Sequence, residues 1–398
     1  MKTKAVTSRW RTAIILCVPL SILMFFLLAV SRTSAQTCQW NIVPSPNSAL
    51  PGNFLSDVSV VSANDIWAVG GSSRGSRVGS PLIEHWNGSS WSIVPATQPP
   101  SSVASLSGVS ALSANDVWAV GSSVIGSAAS KTLVEHWDGS TWTVVPSPSL
   151  DNIGPYPANN QLVDVVAIAP NDVWAVGTAT TIVAGEALTL HWDGTQWTIV
   201  PNPGMNPRFY DANLLGITAV GSNNIWAVGQ ITTSVERKFI ANWNGTSWTS
   251  VASPPFPTNV EFLEGVSAIS ATDIWAVGTF TISDPEGSPY QNAIVHWNGT
   301  SWSIVSSPQP DDWLNFLTSV TAISSNDVWA VGFTGAASAY EQPETLHWDG
   351  TSWSVVPVPG GPESTLLLGV AAVSSTDVWA VGDSANGKKT LIEHFTCQ

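Results

Sequence analysis

The sequence predicts an all-β fold: a closed seven-bladed β-propeller with four-stranded blades, its ring closed by an N-terminal strand that completes the last blade. Three observations predict it. A phrase of the type Asp-Val-Trp-Ala-Val-Gly recurs seven times, centred on Trp67, Trp118, Trp174, Trp226, Trp275, Trp329 and Trp379, with spacings of 51, 56, 52, 49, 54 and 50 residues. A period near 50 marks a repeat architecture. A second phrase of the type His-Trp-Asp-Gly-Thr-Ser-Trp follows the first in six units, its leading Trp at 86, 137, 192, 243, 297 and 348. The two chain ends are complementary fragments of one further unit.

Each unit reads as four short strands. In the second unit they are residues 108–112, small and β-branched; 117–121; 132–137; and 141–145, stopped by Pro146. Proline cannot donate to a ladder. Asp138-Gly139 between the third and fourth strands is a strong hairpin signal. Ser113-Ala114-Asn115-Asp116 between the first and second is a turn whose side chains can bond nearby backbone. No long amphipathic helical stretch occurs. Four-stranded units repeated radially make a propeller, and seven fall within the usual range of blades.

The last unit stops after its third strand, at Glu393-His394-Phe395-Thr396-Cys397-Gln398. Thr37-Cys38-Gln39-Trp40-Asn41-Ile42-Val43-Pro44 is a fourth strand without a unit. Pairing the two closes the ring and removes exposed sheet edges. It also puts Cys38 and Cys397 on paired strands, so a disulfide between them is expected in an exported protein. On the chain-entropy model a staple that closes so long a loop stabilises by several kcal/mol, about 6 at most.

The N-terminus reads as an address. Residues 1–12 are basic, 13–30 form an apolar run, and Thr33-Ser34-Ala35 offers small residues before Gln36. That order is a secretory signal peptide over residues 1–35, with an uncleaved membrane anchor as the alternative. The propeller then spans 37–398 and works outside the cytoplasm, secreted or at the surface. Beyond residue 35 the chain holds 8 basic and 28 acidic residues, and only 10% of all residues are charged. The usual charged share is about 25%. An acidic field repels nucleic acid, and a polar, neutral surface rules out a coiled coil or an acidic disordered tail. A membrane partner is expected only if the N-terminal segment stays uncleaved, and the propeller is expected as a monomer.

At these residues the chain resembles bacterial exported propellers built from Asp-Val-Trp-Ala-Val-Gly and His-Trp-Asp-Gly-Thr-Ser-Trp repeats, similar in broad architecture to kelch and galactose-oxidase-like propellers. The resemblance covers residues 37–398 and implies fold more than function, because propellers host enzymes, lectins and scaffolds. The hairpin is similar in part to the Asp-box of sialidases, although Gly139 follows Asp138 directly. The Asp-dense calcium loops of integrin-type propellers are absent from the sequence.

Length variation is confined to two loops, the one joining second and third strands and the one joining successive blades. Both open on the same face, opposite the two constant turns. Function is usually carried by variable loops on a rigid scaffold. All four tyrosines and Trp313 fall in these loops. The candidate ligand-binding residues are therefore Tyr156, Arg208, Tyr210, Asp211, Tyr290, Asp312, Trp313, Tyr340 and Glu341. Aromatic faces beside carboxylates and amides suit sugar rings, whose C–H faces are apolar and whose hydroxyls need hydrogen bonds. The alternative is that these aromatics cap the ring and pack on neighbouring loops.

The repeated groups read as scaffold. His85, His136, His191, His296, His347 and His394 occupy one repeat position, spread apart by the blades, so no metal site is expected from them. The Asp before each second-strand Trp reads as a turn residue, and the repeat Trp as packing between blades. No Gly-x-Ser-x-Gly nucleophile elbow sits in a strand-to-helix context, a galactose-oxidase-type copper site is not expected because both cysteines beyond residue 35 serve the closure, and the four arginines beyond residue 35 (Arg74, Arg77, Arg208, Arg237) are few for a sialidase. Asp211, Glu261, Glu264, Asp312 and Glu341 are the candidates for a carboxylate pair. The expected function is non-catalytic binding of a glycan or protein outside the cytoplasm, with no cofactor and no catalytic residue. The alternatives are a carbohydrate-active hydrolase or lyase using carboxylates on the variable face, and a protein-interaction scaffold.

Overall fold

The computed structural model describes residues 1, 37–74, 79–97, 102–126, 128–205, 211–232, 236–256, 261–282, 289–335 and 340–397. The N-terminal signal reading at 1–35 lies outside the described residues, apart from Met1, as do Arg77, Arg208 and Tyr210. Residues 37–398 form one compact unit.

Seven four-stranded antiparallel sheets follow one another along the chain. Six run in plain sequence order: blade one (52–93), two (102–144), three (159–199), four (211–250), five (261–304) and six (315–355). The seventh takes Leu366–Ser374, Asp377–Ser384 and Lys389–Cys397, and is completed by Cys38–Ile42. The register of that closing pair runs from Cys38 opposite Cys397 to Ile42 opposite Glu393. The predicted disulfide joins Cys38 to Cys397 across a separation of 359 residues. First strands of successive blades pack on one another all the way round, blade seven against blade one included.

The second-strand phrase explains itself in this setting. Trp67 and Val69 face blade two, whereas Ile66 and Ala68 face blade seven. Both faces of the strand are buried, so the phrase is continuously apolar instead of alternating. Its closing glycine has a steric cause. Each first strand carries a bulge, as between Leu317 and Ser319, which pushes the backbone toward the second strand. A Cβ on Gly332 would lie 1.9 Å from the Phe316 carbonyl oxygen. In the hairpin, Gly139 has φ +94°, a conformation that a side chain disfavours.

The tryptophans form a ring of inter-blade contacts. Each second-strand indole meets the fourth-strand indole of the next blade edge to face: Trp67–Trp142, Trp118–Trp197, Trp174–Trp248, Trp226–Trp302, Trp275–Trp353, Trp329–Trp40 and Trp379–Trp91, with centroids 5.5–5.7 Å apart. That orientation suits the ring quadrupole. Trp40, from the N-terminal strand, fills the seventh place.

The histidines are structural. His85 Nε2 lies 2.8 Å from Asp65 Oδ1 while its ring stacks on Trp67, and the other five pair with Asp116, Asp172, Asp273, Asp327 and Asp377 at 2.7–2.9 Å. The repeated Asp therefore fixes the His, beyond the turn role expected of it. In the hairpin, Asp138 Oδ1 accepts N–H bonds from Ser140 and Thr141, and these bonds with the Ser140 hydroxyl hold its carboxyl down at about 2.

Two elements differ from expectation. The first strands are longer than predicted, Ser102–Ser113 against 108–112. The bulge between Leu106 and Gly108 breaks the alternation that would have revealed the earlier half. A small extra hairpin, Asn152–Ile153 with Tyr156–Pro157, projects from the linker between blades two and three.

Candidate functional site

First strands begin, and fourth strands end, on the variable face. In blades five to seven the loops there are tied into one surface. Asn315, fully buried, donates from Nδ2 to the Asp311 carbonyl (2.6 Å) and the Tyr290 carbonyl (3.3 Å), and accepts from the Asp311 N–H (2.9 Å). Asp311 Oδ1 in turn accepts the N–H groups of Trp313 (2.7 Å) and Leu314 (3.1 Å). The Tyr290 N–H donates to the Trp313 carbonyl (2.9 Å), and the Gly335 N–H to the Leu314 carbonyl (3.0 Å). The Thr365 N–H donates to the Glu341 carbonyl (2.9 Å). The Glu341 carboxylate accepts the Ser364 hydroxyl, a bond that holds its pKa below the usual carboxylate range.

This network presents Tyr290, Asp312, Trp313, Tyr340 and Glu341 on neighbouring loops. Tyr290, Trp313 and Tyr340 remain 37–57% exposed, whereas the second-strand tryptophans are 1–4% exposed. The backbone beneath Tyr290 and Trp313 is hydrogen-bonded between blades five and six.

The other candidates lie elsewhere. Tyr156 stands on the extra hairpin, pinned by Asn160, which bonds the backbone of Leu150 and Ala158. Asp211 opens blade four, where burial raises its pKa and Oδ1 lacks a partner among the described residues. Tyr156 and Asp211 thus occupy other sectors of the rim. Glu261 is taken up structurally: it is buried and bonded to Lys238 Nζ (2.6 Å), Arg237 (3.5 Å) and the Phe256 N–H (2.9 Å).

Glu264 has a different place. It lines an axial cavity of about 380 Å³ formed by the first strands, together with Asp57 and Asp164. Asp57 Oδ2 accepts the Val109 N–H and Asp164 Oδ2 the Ile217 N–H, both at 2.8 Å, so each carboxylate links its blade to the next. Burial raises both pKa values, and the charge of Asp57 raises that of Asp164 further. Burial lifts Glu264 to about 7. Sequence reasoning missed Asp57 and Asp164. The signal was there: aligned repeats carry Asp57, Gly108, Asp164, Gly216, Gly265, Ser319 and Gly369 at one position. No group of three or more His, Cys, Asp or Glu residues able to hold a metal ion occurs among the described residues.

No family model and no curated protein matches the chain. Solved structures do. YCF48 bound to D1 peptide superposes with a TM-score of 0.52 at 17% identity, covering 90% of this chain and 96% of that one. The GH74 xyloglucanase from Xanthomonas campestris superposes with a TM-score of 0.51 at 11% identity, covering 89% of this chain and 55% of the enzyme. At such identities the likeness establishes the propeller fold. One neighbour is a peptide complex and the other a glycoside hydrolase, so fold alone separates neither function.

Proposed function

We propose that the protein is a non-catalytic binding protein working outside the cytoplasm, monomeric, and engaging a glycan or a protein segment through the variable face of blades five to seven. The observation that carries this reading is the contrast in aromatic exposure. The second- and fourth-strand indoles are buried, while Tyr290 and Trp313 stand exposed on loops fixed by Asn315 and Asp311, and Tyr340 stands exposed beside Glu341, whose carbonyl accepts the Thr365 N–H. Asp312 and Glu341 supply acceptors beside them. A secretory reading of residues 1–35 and the disulfide support an oxidising compartment.

A hydrolase is the second reading, favoured by the axial carboxylates. Glu264, lifted to about 7, is suited to proton transfer near neutrality. Against it, Asp57 and Asp164 each already accept two backbone N–H groups, which fits a structural duty.

A glycan array and a peptide array probed with the protein separate the two readings. Binding without turnover is expected. Against the best ligand, Trp313→Ala should weaken affinity by about 1–3 kcal/mol, the scale of an aromatic anchor, with the melting temperature unchanged. Unchanged affinity in that variant, or hydrolysis of a bound glycan, would overturn the proposal.

A further inference from the structure

In every blade the third strand carries, just before its His or Asn242, a side chain that faces the preceding blade. Blades three to six use Leu190, Ala241, Val295 and Leu346; blades one, two and seven use Glu84, Glu135 and Glu393. All three glutamates are 0% exposed. Glu393 stands between Leu391 and Phe395, which pack on Trp329 and Val331 of blade six, and its strand neighbours in register are Ala380 and Ile42.

The three differ in what they meet. Ser45 donates to Glu84 (3.0 and 3.2 Å), and the Thr97 N–H donates to Glu135 (3.1 Å), each from the linker entering that blade. Both oxygens of Glu393 lack a partner among the described residues. The repeat explains why: Val356-Pro357-Val358 stands where Val43-Pro44-Ser45 stands in the linker to blade one, and a valine has no hydroxyl to give.

The charged groups on the elements packed around Glu393 are engaged elsewhere or lie apart from it. Asp327–His347 and Asp377–His394 pair with each other near the constant turns. Glu344 bonds Asn292 of blade five, Glu341 bonds Ser364, and Glu363 accepts from Asn386. Asp383, Lys388 and Lys389 lie at the opposite end of blade seven, and Asp349 accepts from its own hairpin. No charge thus compensates an ionised Glu393, and a buried, unpaired charge is costly.

The location gives this cost a consequence. Blade seven alone is assembled from both chain ends, and Glu393 lies directly opposite Ile42 of the closing strand. We propose that Glu393 makes the closing blade a pH-operated latch, docked on blade six while the carboxyl holds its proton and loosened when the proton leaves. Burial lifts this carboxyl from 4.5 to about 8. A folded-state value above the unfolded one means the stabilisation is complete below about 4.5 and is lost as pH rises through about 8.

Hydrogen exchange in the oxidised protein, corrected for intrinsic rates, tests the latch at pH 6 and pH 9. Opening of segments 38–42 and 389–397 should rise roughly a hundredfold from pH 6 to pH 9, because the open state titrates near 4.5 and the docked one near 8, while segment 224–232 of blade four stays protected. Glu393→Leu, which borrows the residue of blades three and six, should abolish the rise. Glu393→Gln keeps the shape without the charge and should abolish it too, which secures the result if the leucine variant fails to fold. A rise retained in the glutamine variant, an equal rise in blade four, or no rise in the wild type would overturn the latch.

Discussion

Removing residues 37–46 should abolish the single cooperative unfolding transition and leave an aggregating chain. The deletion takes away the fourth strand of blade seven, a five-residue register with the C-terminal strand, and the disulfide. It also removes Trp40, 3% exposed and packed edge to face on Trp329 at 5.6 Å. What remains is an unpaired strand edge beside exposed Trp329 and Phe395, the combination that templates aggregation. Calorimetry with light scattering reads both effects. A soluble, monomeric truncation with an unchanged midpoint would refute closure by this strand. Cys397→Ser is the milder relative: cooperativity should survive with a lower midpoint, the stability falling by up to about 6 kcal/mol on the entropic model.

Trp329→Ala should destabilise the protein by roughly 3–5 kcal/mol, the range for truncating a buried aromatic. Trp329 is 2% exposed and touches Trp40, Phe395 and His347 at centroid distances of 5.6, 4.6 and 4.4 Å. The cavity would open at the joint between blades six and seven, with little room to collapse because the contacting rings are themselves held on paired strands. The buried Nε1 has no partner among the described residues, so its loss returns part of the cost. Denaturant melts of this variant beside Trp313→Ala separate scaffold from surface: a loss under 1 kcal/mol at Trp329 would contradict the packing described.

The fold was legible because its determinants are local and repeated. Trp-Ala-Val-Gly records a strand buried on both faces beside a bulge, and Asp-Gly records a turn with positive φ. Seven copies turned weak signals into a strong one, and the orphan fragment around Trp40 announced ring closure. The early half of each first strand was hidden by the bulge, which shifts the side-chain alternation at Leu106/Gly108. The candidate site was legible only as a face. That Tyr290, Trp313 and Glu341 share tied loops while Tyr156 and Asp211 stand apart depends on loop hydrogen bonds with no periodic signature. Asp57, Asp164 and Glu393 were overlooked because each is a carboxylate at a repeat position that most blades fill with a small or apolar residue. Reading the repeats for exceptions, beyond their consensus, would have found all three.

The proposed ligand site is the variable face of blades five to seven. Hydrogen exchange with and without the best array ligand tests it most directly. New protection is predicted in segments 311–316, 340–345 and 361–366, with the Asn-Gly and Asp-Gly turns at 87–90, 138–141 and 349–352 unchanged. Protection confined to those turns, or to the first strands lining the axial cavity, would contradict it.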